Sequence, residues 1–361
     1  MSQISEIDKN LAVNATVCEN GIIFRNSLSD PFSLCGLLPV TPFLRLPLET
    51  AQNTNSGVEA LCRNTAGGRL RFKTDSKRIV LRVCYDGICH MSHMPLTGST
   101  GFDMYIYSNG GYSYVGSFIP PTDCKGDFNS EITLPDNSMR DITINFPLYN
   151  SVKTVFIGLE ENAKLLKTDG YINKEPIVYY GSSITQGGCA SRPGNSYQAI
   201  ISRRFNIDYV NLGFSGSALG EKAMAEYIAD LNMSLFFMDF DHNSPNAEHL
   251  KAHHENFFLT VREKNPDLPI IMATKTDIPR TPADVEHNRA HRAVVYETYE
   301  NALKRGDRNV MFIGGETVFT KALDLSAAAD CCTVDGCHPN DLGFACMAKV
   351  FGDAIEKMLI L

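Results

Sequence analysis

The sequence predicts an α/β chain in two parts: an antiparallel β-sandwich, then a parallel sheet covered by helices on both faces. Three observations carry this. Before residue 168 the apolar runs are short, alternate with polar residues and are separated by turn signals, and long helical patterns are missing. From Pro176 on, strand-like apolar runs alternate with longer amphipathic stretches, the pattern of successive β–α–β units. The length of 361 residues suits about two domains. The expected division is 1–168 and 174–361, at a polar stretch that contains Gly170.

In the first part, residues 79–83 form a short β-rich run. Residues 102–107 form another, followed by the turn residues Ser108, Asn109, Gly110 and Gly111, with 112–119 as the hairpin partner. Residues 141–146 alternate polar and apolar, and 152–159 make a further strand. In the second part the strands are expected at 177–180, 209–212, 235–240, 270–273 and 310–313. The helices between them are expected at 196–205, 223–231, 247–264 and 284–305, with a last one over 341–359.

Composition excludes several classes. Hydrophobic residues are 43% and charged residues 20%, which rules out disorder and collagen-like repeats. The formal net charge is -8, with the acid excess mostly after residue 170. That opposes a nucleic-acid partner and polyanionic substrates, and suits neutral or cationic ones. Eleven cysteines, an odd number in no tight framework, read as unpaired thiols of a reducing compartment. No cationic stretch leads into an apolar run at the N-terminus, and no run approaches the ~18 apolar residues of a membrane span. The expectation is a cytoplasmic protein with no membrane partner. A homo-oligomer through the sandwich is allowed, though nothing in the sequence demands one.

In an open parallel sheet, ligands bind beyond the carboxyl ends of the strands. After the first strand comes Gly181-Ser182-Ser183-Ile184-Thr185, and after the second Gly213-Phe214-Ser215-Gly216. The third is followed by Asp241-His242-Asn243-Ser244. Near the C-terminus, beyond the fifth, stands Asp335-Gly336-Cys337-His338-Pro339. These blocks supply a hydroxyl nucleophile, a glycine amide, a side-chain amide and an Asp/His pair, a complete set for serine hydrolysis. Taken singly, each has a plainer reading. Ser183 could cap a helix, Gly216 could serve a turn, and Asn243 could make an Asx-turn before Pro245.

The four blocks together resemble the SGNH (GDSL-type) hydrolase superfamily. Residues 180–194 and Gly101-Phe102-Asp103-Met104-Tyr105 resemble the branch whose N-terminal β-sandwich bears a Gly-x-Asp-[Leu/Met]-Tyr signature. The resemblance implies a jelly-roll-like sandwich followed by a flavodoxin-like three-layer α/β/α domain with strand order 2-1-3-4-5. It also implies Ser183, Asp335 and His338 as catalytic residues, and the Ser183 and Gly216 amides with the Asn243 side chain as an oxyanion hole. The implied activity is a metal- and cofactor-free serine esterase working through an acyl-serine. Its substrate would be a small-molecule or oligosaccharide ester carrying a short (acetyl) acyl group. A general short-chain esterase or thioesterase is the neighbouring reading, and a carbohydrate-binding protein with an inert hydrolase domain the distant one. Two positions depart from the family pattern: Ser182 replaces the usual Asp before the nucleophile, and Asp241-His242-Asn243-Ser244 replaces Gly-x-Asn-Asp.

Arg192 and His242 are candidates for lining the substrate pocket. His249/His253 and His287/His291 have the i, i+4 spacing of a zinc pair, but neither has an obvious third ligand, so they read as solvated helix faces. His90, His93 and Met94-Pro95 read as a scaffold loop of the sandwich, although the family resemblance also allows that half to form one wall of the pocket, and Asp103 and Tyr105 read as a buried structural pair.

Overall fold

The computed structural model describes residues 17–276, 278–323 and 326–360. Two antiparallel sheets make the first part. One has the order β1 (Val17–Glu19), β2 (Ile22–Asn26), β10 (Val152–Glu160), β5 (Arg78–Tyr85), β8 (Phe128–Thr133). The other runs β11 (Leu165–Leu166), β4 (Arg69–Thr74), β9 (Arg140–Asn145), β6 (Phe102–Ser108), β7 (Gly111–Phe118), with β3 (Ser33–Cys35) also paired to β4. Leu70, Phe72, Leu81, Met104, Ile144 and Ile157 interdigitate between them. The β6–β7 hairpin closes through Asn109 and Gly110, with φ of 52° and 78°, as a tight turn between right-twisted strands requires.

The outer face of the second sheet is not solvated. Along β4, β6 and β9 the residues alternating with the core are Arg69, Arg71, Asp103, Thr143 and Asn145, all buried. They are covered by the second part of the chain. Arg69 pairs with Asp208 and donates to the carbonyl of Tyr209 at 2.8 Å. Polar residues on this face therefore mark an internal junction.

The second part is a five-stranded parallel sheet: β13 (Tyr209–Gly213), β12 (Ile177–Gly181), β14 (Leu235–Asp239), β15 (Ile270–Ala273), β16 (Val310–Ile313). Counted within this sheet, the order is 2-1-3-4-5. Each strand's two faces feed two apolar cores. Val178, Tyr180, Phe236 and Met238 pack against helices Lys222–Ala229, Ala247–Lys264 and Pro282–Lys304. Tyr179, Tyr209 and Phe237 pack against Tyr197–Phe205 and Asp341–Leu359. The longest helix starts at a capping box, Thr281 with Asp284, with Pro282 at its first position. No helix of the described residues is long and apolar enough to cross a membrane.

A strap departs from the two-part pattern. Two short helices, Leu48–Thr54 and Ser56–Leu61, leave the sandwich, and Leu46, Ala51, Val58 and Cys62 enter the core of the parallel sheet. Arg45, 2% exposed, donates to the carbonyls of Leu61, Asn211 and Gly213, and its guanidinium lies 4.4 Å from the Phe214 ring centroid.

Candidate active site

β12 ends at Gly181, where a Cβ would stand 2.1 Å from the Asp239 carbonyl oxygen. The chain then turns into the short helix Ser183–Gln186. Ser182 caps that helix, its hydroxyl accepting from the Ile184 amide at 3.2 Å. A serine thus does the capping that a carboxylate could do at this position. Gly187, at φ 103°, ends the helix. Ser183 is left at the first helical position, beyond the end of the strand.

The loop before the last helix brings the partner groups. Ser183 Oγ lies 3.0 Å from His338 Nε2, and His338 Nδ1 lies 2.8 Å from Asp335 Oδ2. The carboxylate at Nδ1 assigns the ring proton to that nitrogen, so Nε2 presents a lone pair to the serine hydroxyl. Asp335 Oδ1 accepts from the amides of Cys337 (2.9 Å) and His338 (2.7 Å), in a turn that Gly336 makes at φ 87°. Partial burial pushes the Asp335 carboxyl up, but the amide and imidazole hydrogen bonds outweigh it and hold it at about 2. It stays ionised across the neutral range.

The second block docks onto the helix that Ser183 begins. Phe214 N donates to Gly181 O at 2.8 Å, and Ser215 N to Gln186 Oε1 at 3.0 Å. Gly213 allows this approach, since a Cβ there would stand 2.2 Å from Gln186 N. Gly216 follows with φ 65°. Asn243, in the altered third block, donates from Nδ2 to Phe214 O at 3.0 Å. That bond orients its amide beside the second block and leaves its other N–H to give. The amides of Ser183 and Gly216 donate to no acceptor among the described residues. An arrangement of this kind can shuttle a proton from a hydroxyl to an imidazole and meet a developing oxyanion with N–H donors.

The remaining sequence candidates divide. His242 reaches the site: its Nδ1 is 3.9 Å from Cys337 Sγ, and burial, then the nearby Lys275 and His338, push its pKa well below the usual histidine range. Arg192 is held by the sandwich. Its guanidinium donates to Asp103 at 2.9 Å and to Tyr105, and lies 4.0 Å from the Tyr114 ring centroid. The solvated-face reading of the histidine pairs also needs correction at His291, which is fully buried with Nδ1 3.1 Å from the Asp241 carbonyl.

Sequence reasoning passed over Tyr149 and undervalued His93. The Tyr149 hydroxyl donates to the Ser183 carbonyl at 3.2 Å, and no local pattern marks it. The His93 ring centroid is 6.1 Å from that of His338. Among the described residues, no group of three or more His, Cys, Asp or Glu is arranged to hold a metal ion.

Comparison with known proteins bears on these groups. Residues 174–356 match the family model described as GDSL-like lipase/acylhydrolase, and residues 28–165 match the model for the N-terminus of SGNH-hydrolase-type esterases. No curated protein matches the chain. Among solved structures, one described as a GDSL-like lipase from Bacteroides ovatus superposes with a TM-score of 0.83 at 28% identity, over 94% of this chain and 98% of that one. The salicylyl-acyltransferase SsfX3 of a tetracycline biosynthetic pathway gives 0.76 at 20% identity, over 95% and 99%. An acetyl xylan esterase from the rumen bacterium Butyrivibrio proteoclasticus gives 0.60 at 13%, over 94% and 98%. At these identities the last two bear on the fold alone.

Proposed function

The chain belongs to the GDSL-like lipase/acylhydrolase family and is an SGNH-type hydrolase, and on that premise we propose that it is a serine esterase acting through an acyl-serine. The observation that carries this reading is the unbroken relay from Ser183 through His338 to Asp335. As Ser183 Oγ attacks the ester carbonyl, His338 Nε2 takes its proton, and Asp335 stabilises the imidazolium. The carbonyl oxygen becomes an oxyanion that the Ser183 and Gly216 amides and the Asn243 side chain meet. The protonated His338 gives its proton to the leaving alcohol oxygen as the C–O bond breaks, leaving the acyl-serine. His338 then takes a proton from a water molecule as it attacks that ester, and returns the proton to Ser183 Oγ as the C–Oγ bond breaks, releasing the acid and the free serine.

For the substrate we propose a short acyl group, acetyl first, on a carbohydrate or similar small alcohol. Polar side chains stand near the relay: His93, His242 and Asn243. The structural relatives include an acetyl xylan esterase and a family two carbohydrate esterase solved with cellohexaose, which agrees with this choice. A general short-chain esterase or thioesterase shares the same relay, and a series of acyl chains and leaving groups separates it. An inert hydrolase half carried by a carbohydrate-binding sandwich has the intact relay against it.

The test is direct. The protein should react with a fluorophosphonate probe and release p-nitrophenol from p-nitrophenyl acetate, and Ser183→Ala should lose labelling and at least about 10⁴-fold in kcat. An intact, folded protein that neither labels nor turns over acetyl esters would overturn the esterase reading.

A further inference from the structure

The loop between β5 and β6 brings the sandwich to the relay. It is anchored to the segment after the nucleophile at three points. Thr97 Oγ1 donates to the Ser191 carbonyl. Gly98 packs so closely on Ala190 that a Cβ would stand 2.1 Å from its carbonyl oxygen. Met94 is buried in the core that holds Ile184, Leu148 and Tyr149. Met91 and Met94 form an isolated antiparallel bridge, and the turn between them holds His93 out in solvent, its ring tilted 48° to that of His338. The anchored turn thus presents an exposed histidine beside the proposed base.

We propose that His93 determines specificity for the leaving alcohol: it hydrogen-bonds a hydroxyl on the carbon adjacent to the ester-bearing carbon, so that esters of vicinal diols and sugars are preferred over esters of simple alcohols. This rests on the esterase reading above and adds to it the chemical group that is recognised. His338 returns its proton to the ester oxygen, so the alcohol must depart past His338. The two oxygens of a vicinal diol lie about 2.8 Å apart, so a diol bridging the rims of the two rings, whose centroids are 6.1 Å apart, can place one oxygen about 2.8 Å from His338 and the other about 2.8 Å from His93. A neutral imidazole both donates and accepts, which suits a hydroxyl in either role. The anchoring of the turn supplies the preorganisation that such a contact needs.

The experiment compares 2-hydroxycyclohexyl acetate with cyclohexyl acetate, alongside p-nitrophenyl acetate as a reporter of esterase activity. The unmodified protein should favour the hydroxylated ester about tenfold in kcat/KM, the effect of one hydrogen bond made in the transition state. His93→Ala should erase that preference, and His93→Gln, which can still donate and accept, should restore part of it. The residue is exposed, so its replacement leaves the core intact. A preference that survives His93→Ala, or that is absent from the unmodified protein while p-nitrophenyl acetate is hydrolysed, overturns the proposal and leaves the esterase reading standing. Inactivity on all three acetates removes both.

Discussion

Two carboxylates border the segment around Ser183, and they are built for opposite purposes. Asp335 lies on the strand-end side, 44% exposed at its side chain, with one oxygen on an imidazole and the other on two amides. Asp103 lies on the sandwich side, fully buried, and accepts from Asn145 at 2.7 Å and from Arg192 and the Gly194 amide at 2.9 Å each. Gly194 approaches it so closely that a Cβ would stand 2.6 Å from Asp103 Oδ2. The difference shows how the molecule divides its labour. The strand-end side keeps donors and a lone pair open for a reacting group. The sandwich side commits its Asp103 carboxylate to internal partners and holds the segment 192–196 in place. The signature motif of the sandwich thus works as a clamp on the hydrolase half, since both its Asp103 and its Tyr105 face Arg192.

The comparison can be broken first at Asn243, the proposed oxyanion donor. Asn243→Ala should cost about 3 kcal/mol of transition-state stabilisation, a few hundredfold in kcat, while thermal stability changes by less than about 1 kcal/mol. A large fall in Tm with kcat preserved would move Asn243 to the structural side. Next is the clamp. Asp103→Ala should destabilise the fold by about 3 kcal/mol, because it strands a half-buried guanidinium and an amide, and any loss of kcat should be smaller than that of Asn243→Ala. Denaturant unfolding and kinetics on the same preparation decide it. A stable Asp103→Ala protein with kcat collapsed would make the sandwich carboxylate part of the chemistry.

A third, smaller difference concerns acid. The histidines of the sandwich half, His90 and His93, are exposed, whereas His254 is buried against Thr298 Oγ1 at 2.9 Å and held down to about 3 by loss of solvation. Its folded pKa lies below the unfolded value. Its contribution to stability is therefore complete above about pH 6.5 and is lost as pH falls towards 3. This should remove about 2 kcal/mol between pH 6.5 and pH 5. His291, held at about 4, acts with the same sign. Urea unfolding followed across that range should weaken accordingly, and the slope should flatten in His254→Gln. An unchanged slope in His254→Gln would mean that His254 is not a source of the acid sensitivity.

The strands of the parallel sheet were legible because each is an apolar run buried on both faces and followed by a polar block. Predicted residues 177–180 and 209–212 differ from β12 and β13 by one residue each. The four blocks were legible for the same reason, being short local motifs at strand ends. What brings Ser183 to His338, 155 residues away, is the fold, and no local pattern carries that. β4 escaped because its Arg69 and Arg71 look like solvated residues until the covering half is in place. The role of Arg192 stayed open for a related reason: its partner Asp103 is 89 residues away, and no local pattern shows it. His291 looked like one member of a surface pair because helical spacing says nothing of the Asp241 carbonyl that receives it.

The strap around Arg45 has a consequence for how the chain comes into being. Leu46, Ala51 and Val58 are synthesised well before the sheet whose core they complete, and Arg45 is separated from Gly213 by 168 residues. At ordinary translation speeds the strap waits about ten seconds or more for its partners. Through that interval the nascent sandwich carries an unburied apolar segment and an unpartnered guanidinium, and its Arg69 and Asp103 face has nothing to cover it. The burial of the strap and of the junction face is therefore completed only once the second half has been made.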